Sequence, residues 1–450
     1  MSNILKQAKV IHFIGIGGIG ISAIARMLLL EGKIVSGSDR DETKVTEELR
    51  KAGATVNIGA NKENIPVDCD LIIYTVAIPA DNSELMEAKM RGLKILTYPE
   101  TLNIISKEKY TIAVSGTHGK TTVTAMVAKI MIDAGLDPTV IVGSLIGNSN
   151  FIAGKSKYLV VEADEYKKSF HNLEPSILVI NNLDEDHLDF YKDLADIQDS
   201  FLHLALKLPA DGFLICNKKL PNLQSIIEGV KCQVIDYSEV SLNNKLLVPG
   251  EHNRQNAKAA AAVGQALEVD KAKIELALSQ FAGTWRRFEY KGKTERGALV
   301  YDDYAHNPQK VRAALQGARE LYPDKKIIVV FQPHLFSRTK LLLKEFTTAF
   351  TDADEVILTP IFPAREVFDP TISSEILAEK IRTSLSFLCR QESSSDSLDP
   401  RLHGDDKKKV TAFKNFSDIE AYLKTSLKTD DVLITMGAGE QYKIGDALLS

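Results

Sequence analysis

Tyr110-Thr111-Ile112-Ala113-Val114-Ser115-Gly116-Thr117-His118-Gly119-Lys120-Thr121-Thr122 runs from an apolar segment through a glycine-bearing turn into a helical pattern. Tyr110 to Val114 has the short apolar texture of a buried parallel strand. The amides of Gly116 to Thr122 can cradle phosphate oxygens, Lys120 can neutralise charge on β and γ groups, and Thr121 can ligate magnesium. Val114 stands where the general GxxxxGK[ST] pattern has its first glycine, so the loop is a shortened P-loop variant. Val123, Met126, Val127, Ile130, Met131 and Ala134 recur at helical spacing and predict one apolar face, with Gly135 at the C-terminal cap. The unit as a whole predicts an ATP site in an α/β domain.

A phosphate loop needs hard oxygen ligands nearby to hold magnesium. The predicted strand Tyr158 to Val161 leads into Glu162, Asp164 and Glu165, and the predicted strand Ile177 to Ile180 leads into Asn182, Asp184, Asp186 and His187. Strands of a parallel sheet end at one edge, so both clusters are expected beside the loop. Gly147-Asn148-Ser149-Asn150 reads as a turn without chemistry.

Upstream, Val10 to Ile14 predicts a strand, Gly15-Ile16-Gly17-Gly18-Ile19-Gly20 follows, and Ser22 to Glu31 predicts a helix. Further strands are expected at Ile34 to Ser38, ending at Asp39, and at Asp70 to Thr75. Gly15, Gly17 and Gly20 match GxGxxG in the context of a doubly wound sheet, and Asp39 could accept hydrogen bonds from a ribose. The residues alone do not choose between NAD and UDP. Downstream, strands are expected at Ala298 to Tyr301, Lys326 to Phe331, Glu355 to Thr359 and Asp431 to Thr435, alternating with helices. The segment Gln391 to Lys409, rich in Ser, Asp and Lys, reads as a surface loop.

The chain therefore divides into three α/β segments, 1–105, 106–290 and 291–450, in keeping with its 450 residues. Its net charge of −5 gives no electrostatic reason to expect nucleic acid or an anionic membrane. Cys69, Cys216, Cys232 and Cys389 are scattered, which fits a reducing compartment and argues against a zinc ribbon. The opening Met1 to Lys6 lacks the apolar core of a signal peptide, so a cytoplasmic location without membrane insertion is expected.

Gly116 to Thr122 resembles the ATP loop of the Mur ligases, enzymes that add amino acids to the peptidoglycan precursor. Glu162-Ala163-Asp164-Glu165, Asn182 to Asp189, Gly250-Glu251-His252-Asn253, Arg286-Arg287-Phe288, Asp302-Asp303-Tyr304-Ala305-His306 and Gln332-Pro333-His334 resemble further family signatures, in family order along nearly the whole chain. Gly15 to Gly20 with Ser36-Gly37-Ser38-Asp39 resembles the UDP site of the alanine-adding branch. Ser337-Arg338-Thr339, Phe362 to Glu366 and Met436 to Gly439 point to the same branch. Two positions depart from the pattern: Leu335 stands where an Arg is usual, and Asn307 replaces the second His of a His-His-Pro.

The resemblance implies a Rossmann-like UDP-binding domain, a P-loop ATPase-like central domain and a Rossmann-like C-terminal domain. It implies ATP and Mg2+ as cofactors, UDP-N-acetylmuramate and L-alanine as substrates, and a monomer or homodimer. Gly15, Gly17, Gly18, Gly20, Ser38 and Asp39 would take the UDP substrate. Gly116, Thr117, His118, Gly119, Lys120, Thr121, Thr122, His252, Asn253, Asn256 and Arg287 would take ATP, with magnesium on Thr121, Glu162 and His187. Arg286 and Arg287 are expected to put at least one guanidinium on a phosphate or a substrate carboxylate. Asp303, His306, His334 and Arg338 would receive the amino acid, and Lys120, His187, His334 and Arg338 would serve the chemistry. The alternatives left open are a ligase that attaches a ready-made peptide during cell-wall recycling and a nucleotide sensor without catalysis.

Overall fold

The computed structural model describes residues 3–146, 149–185, 190–243, 245–364, 366–392 and 409–449. The chain forms two compact units, Met1–Leu246 with Gln255–Phe281, and Leu247–Arg254 with Ala282–Ser450.

The first unit holds two sheets. Val10–Ile14 (β1), Ile34–Asp39 (β2), Thr55–Ile58 (β3), Leu71–Tyr74 (β4) and Lys94–Thr97 (β5) pair in parallel in the order β3-β2-β1-β4-β5. All of β1 is buried, because helices cover both faces and leave no polar side for alternation. The strand order reverses between β1 and β4, which opens a crevice at the carboxyl edge beside the glycine loop.

The second sheet comprises Tyr110–Ser115 (β6), Thr139–Ile146 (β7), Ser149–Ile152 (β8), Tyr158–Glu162 (β9), Ile177–Ile180 (β10), Phe213–Cys216 (β11) and Gln233–Asp236 (β12), in the order β12-β11-β10-β6-β9-β7-β8. Only the β7–β8 pair is antiparallel among the described pairings of this sheet. β6 lies between β10 and β9, so the acidic ends of both neighbours flank the loop after β6, as expected.

The helix Lys120–Asp133 departs from the amphipathic expectation. Thr121 to Ala128 are all buried, as are Ile130 and Met131. One side faces the sheet, and another meets the helices Lys271–Ser279 and Glu251–Ala266, where Gly264 fits against Ile274 and Ile130. Gly135 adopts φ +83° and its amide reaches Ile132 O, the predicted cap. Ser149 and Asn150 begin β8, so the expected turn is corrected there, while Gly147 and Asn148 lie outside the described residues. Asn150 is buried, and its amide donates to Ile19 O and to Ser22 Oγ on the helix after the glycine loop.

In the second unit, Glu289–Lys293 (β13), Leu299–Asp303 (β14), Ile327–Gln332 (β15), Glu355–Leu358 (β16), Lys409–Ala412 (β17) and Val432–Gly437 (β18) form a sheet in the order β13-β14-β18-β15-β16-β17. Its parallel strands alternate between two buried faces. Tyr301, Val329, Phe331 and Ile434 enter one core, while Val300, Ile328, Val330 and Leu433 enter the other. The expected loop Gln391 to Lys409 is trimmed at both ends: Gln391 and Glu392 finish the helix Ser374–Glu392, and Lys409 opens β17. Residues 393–408 lie outside the described residues. No helix among the described residues is long and apolar enough to cross a membrane.

Candidate active site

The loop between β6 and the helix Lys120–Asp133 is shaped by two left-handed glycines, Gly116 at φ +125° and Gly119 at φ +84°. A side chain at Gly119 would run into Asn256 and come within 2.8 Å of Asn181 Nδ2, so Asn256 sits against the loop. Two loop amides are already committed: Thr117 N donates to Asn182 O at 3.2 Å, and His118 N donates to Asn182 Oδ1 at 2.8 Å. Thr117 Oγ1 also bridges the backbone of Asp184, donating to its O at 3.2 Å and accepting from its N at 2.9 Å. The expected phosphate cradle thus has two of its amides, those of Thr117 and His118, engaged by Asn182. The amides of Lys120 to Thr122 open the helix Lys120–Asp133 and lack intrahelical partners, an arrangement that suits an anion.

Lys120 Nζ donates to Gly116 O and to Glu165 Oε1, each at 2.7 Å. Burial raises the Glu165 carboxyl above its ordinary range, against the pull of Lys120. The buried Tyr191 donates to Glu165 O at 2.5 Å and fixes that backbone. Thr121 Oγ1 donates to Glu162 Oε1 at 3.0 Å, while Gly143 N donates to Glu162 Oε2 at 2.8 Å. A hydroxyl and a carboxylate oxygen thus converge, a hard donor pair that fits magnesium. His187, the third expected ligand, lies outside the described residues.

At the other sheet of this unit, Gly15 N and Ile16 N donate to Ser38 O at 2.8 and 2.9 Å, and Gly17 N donates to Asp39 Oδ2 at 2.8 Å. Gly15, Gly17 and Gly18 therefore lie in one turn pinned to the end of β2, and Gly20 stands in the first turn of the helix that follows. Gly18 caps the helix Ile19–Leu30. Ser38 faces inward: its hydroxyl donates to Glu84 Oε2 at 2.5 Å, so its side chain holds the loop from behind. Glu84 was not foreseen, because nothing local marks it. Burial works to raise its carboxyl, yet hydrogen bonds from His12, Ser38, Asn64 and the Asn61 amide outweigh that and hold it below the ordinary range.

The second unit gathers the remaining candidates. Asp303 ends β14 and accepts from Phe288 N and Ala305 N, each at 2.7 Å. Burial raises its carboxyl, opposed by Arg287. Arg287 lies over the Tyr304 ring at 5.0 Å. His306 and His334 have ring centroids 6.2 Å apart, and Arg338 Nη1 donates to His334 Nδ1 at 3.0 Å. Burial lowers His306 well below its usual value, with Lys310 adding to it, and burial with Arg338 lowers His334. Both imidazoles are therefore neutral near pH 7. Asn307, the departure from His-His-Pro, caps the helix Pro308–Leu321 by accepting from Lys310 N at 2.9 Å.

Of the two arginines, of which at least one was expected on a ligand, Arg286 is engaged within this unit. It is buried, donates to Asp302 Oδ2 at 2.9 Å and Gly437 O at 2.7 Å, and lies against the Trp285, Tyr304 and Tyr442 rings. His252 belongs to this second unit, beside a cavity lined by Gly250, Arg254, Gln316, Gly317 and Glu320. Burial lowers its pKa, although Asp303 pulls the other way. Asn253 Nδ2 donates to Pro249 O at 2.7 Å, whereas Asn256 lies in the first unit.

This chain belongs to the Mur ligase family. Residues 10–110 match the family's catalytic domain, 114–247 its middle domain and 286–439 its glutamate ligase domain. Among similar proteins is the UDP-N-acetylmuramate–L-alanine ligase of Clostridium kluyveri, 42% identical over 477 residues and covering 99% of each chain. The enzyme of the same name from Clostridium botulinum is 40% identical over the same shares. Among solved structures, UDP-N-acetylmuramate-alanine ligase from Thermotoga maritima has a TM-score of 0.79 at 29% identity, covering 98% of each chain. A murein peptide ligase from Psychrobacter arcticus shares the fold, with a TM-score of 0.66 at 23% identity over 98% of each chain.

Proposed function

We propose that this chain joins L-alanine to the carboxylate of UDP-N-acetylmuramate with cleavage of ATP, in the synthesis of the peptidoglycan precursor. The convergence of Lys120, Thr121 and Glu162 at the carboxyl edge of β6 carries the reading, in a chain similar over 99% of its length to alanine ligases. A free carboxylate is a poor electrophile. Transfer of the γ-phosphoryl group of ATP to its oxygen gives an acyl phosphate; attack by the alanine amine then forms the amide and expels phosphate.

The first step brings two anions together, so positioned cations and amides supply most of the catalysis. Lys120 and the helix N-terminus face the phosphates, and Asn256 orders the loop. Thr121 and Glu162, with His187, would hold Mg2+, which when bound neutralises charge on the transferring group. His252, Asn253 and Arg287 are assigned to the nucleotide. On the amino-acid side, Arg338 suits the α-carboxylate of alanine, and the neutral His306 and His334 suit its amine as hydrogen-bond or proton acceptors, with Asp303 holding the loop that bears His306.

The test is phosphate release from ATP and magnesium with UDP-N-acetylmuramate, across amino acids and the cell-wall tripeptide. Release that requires L-alanine, with the amide seen by mass, is the expected result. Activity with the tripeptide alone would move the chain to peptide recycling, and no release with any acceptor would leave a nucleotide sensor.

A further inference from the structure

We propose that the hydroxyl of Tyr98 donates a hydrogen bond to an anionic oxygen of the UDP-linked substrate, between the glycine loop after β1 and the acidic end of β9. The inference rests on the UDP assignment above. Tyr98 opens the helix Tyr98–Lys107, and its backbone is fixed by a reciprocal cap: Glu100 N donates to Thr97 Oγ1 at 3.3 Å, and Thr97 N donates to Glu100 Oε2 at 2.7 Å. Pro99 restricts the same turn. The ring is thereby held against Gly20, where a Cβ would stand 2.6 Å from the Tyr98 hydroxyl. Glycine at position 20 thus makes room for this phenol as well as for a phosphate.

The other side of the ring lines a small cavity with Glu162, Asp164, Ser169 and Phe170. The hydroxyl therefore lies where the UDP loop and the metal-side carboxylate face one space, inside a single compact unit. It has no hydrogen-bond partner among the described residues. A phenol carries its proton at neutral pH and can donate it in a hydrogen bond. A donor with no protein acceptor, beside two carboxylates, is the group an incoming phosphate or carboxylate needs there. Either anion would serve, and the substrate carries both.

Calorimetric binding of UDP and of UDP-N-acetylmuramate to the full chain without ATP, for the wild type and Tyr98→Phe, tests this. The phenylalanine keeps the ring packing on Gly20, and an unchanged melting temperature checks that. Binding of UDP-N-acetylmuramate is expected to weaken roughly 10-fold, the scale of one hydrogen bond to a charged group, while ATP affinity stays unchanged. Equal weakening for UDP identifies a phosphate as the acceptor; weakening for the sugar-linked substrate alone identifies its carboxylate end. Wild-type affinity of Tyr98→Phe for both ligands overturns the proposal. If the wild type binds neither, the UDP assignment itself falls and takes this inference with it.

Discussion

Lys120 and Glu165 form a buried ion pair across the ends of β6 and β9, with Nζ 2.7 Å from Oε1. A nucleotide that recruits this lysine competes with the carboxylate and is repelled by it. Glu165→Gln is therefore expected to tighten ATP binding several-fold while slowing turnover, since the lysine loses its fixed position. Equilibrium binding of ATP and single-turnover rates would separate the two effects, and weaker ATP binding would sink the idea.

Removing the cation itself has a different signature. Lys120→Ala should cut phosphoryl transfer by roughly 10²–10³-fold or more, the scale for losing one preorganised electrostatic group. UDP-N-acetylmuramate affinity should stay within about twofold, because the glycine loop belongs to the other sheet. Near-wild-type turnover would remove the P-loop assignment.

Glu162→Gln keeps the shape of the Thr121 contact and removes the negative charge. The magnesium concentration for half-maximal activity is expected to rise at least about tenfold, in line with the loss of a carboxylate ligand. A magnesium titration at fixed ATP reads this directly, and an unchanged requirement would place the ion elsewhere.

His252, His306 and His334 each have a folded-state pKa below the ordinary imidazole value of about 6.5, chiefly because of burial. Between 6.5 and their folded values the unfolded chain binds more protons, so stability rises with pH across that window. The second unit should hold its full stability above about pH 6.5 and lose it progressively on acidification. Thermal melts between pH 7.5 and 5 check this. His306→Gln should flatten the profile, and an equally steep profile would exclude His306 as a contributor.

Leu335 adopts φ 70° and ψ 133°, a region costly for any residue but glycine, while its carbonyl accepts from Thr339 and its amide donates to Phe362 O. Strain of this kind costs about 1–3 kcal/mol. Leu335→Gly should raise the melting temperature of this unit by a few degrees, at roughly 2–4 °C per kcal/mol. It should also raise the amino-acid KM by loosening His334 and Arg338. A lower melting temperature would show that the Leu335 side chain contributes more than the strain removes.

Much of this was legible in the chain itself. Strand positions at β1, β6, β9, β10 and β15 follow from unbroken apolar runs, and the loops after them hold candidate site residues. Short strands such as Thr55–Ile58 and Gln233–Asp236 were missed, because a half-polar edge strand looks like loop. The inward turn of Ser38, the burial of Arg286 and the reach of Asn150 could not be read either. Each depends on a partner distant in sequence, Glu84, Asp302 and Ser22 respectively.

The helices that meet at Gly264 set an order of assembly. Residues 255–281 complete the core of the unit whose ATP loop lies some 140 residues earlier, after the chain has passed through Leu247–Arg254 of the other unit. A nascent chain halted at Leu246 would carry every residue of the phosphate loop and still expose the side of Lys120–Asp133 that the helix Lys271–Ser279 covers. During synthesis, then, nucleotide-binding competence trails the appearance of its own motif by about 160 residues, the span from Thr122 to Phe281, and a protease or chaperone meets the unfinished helix first.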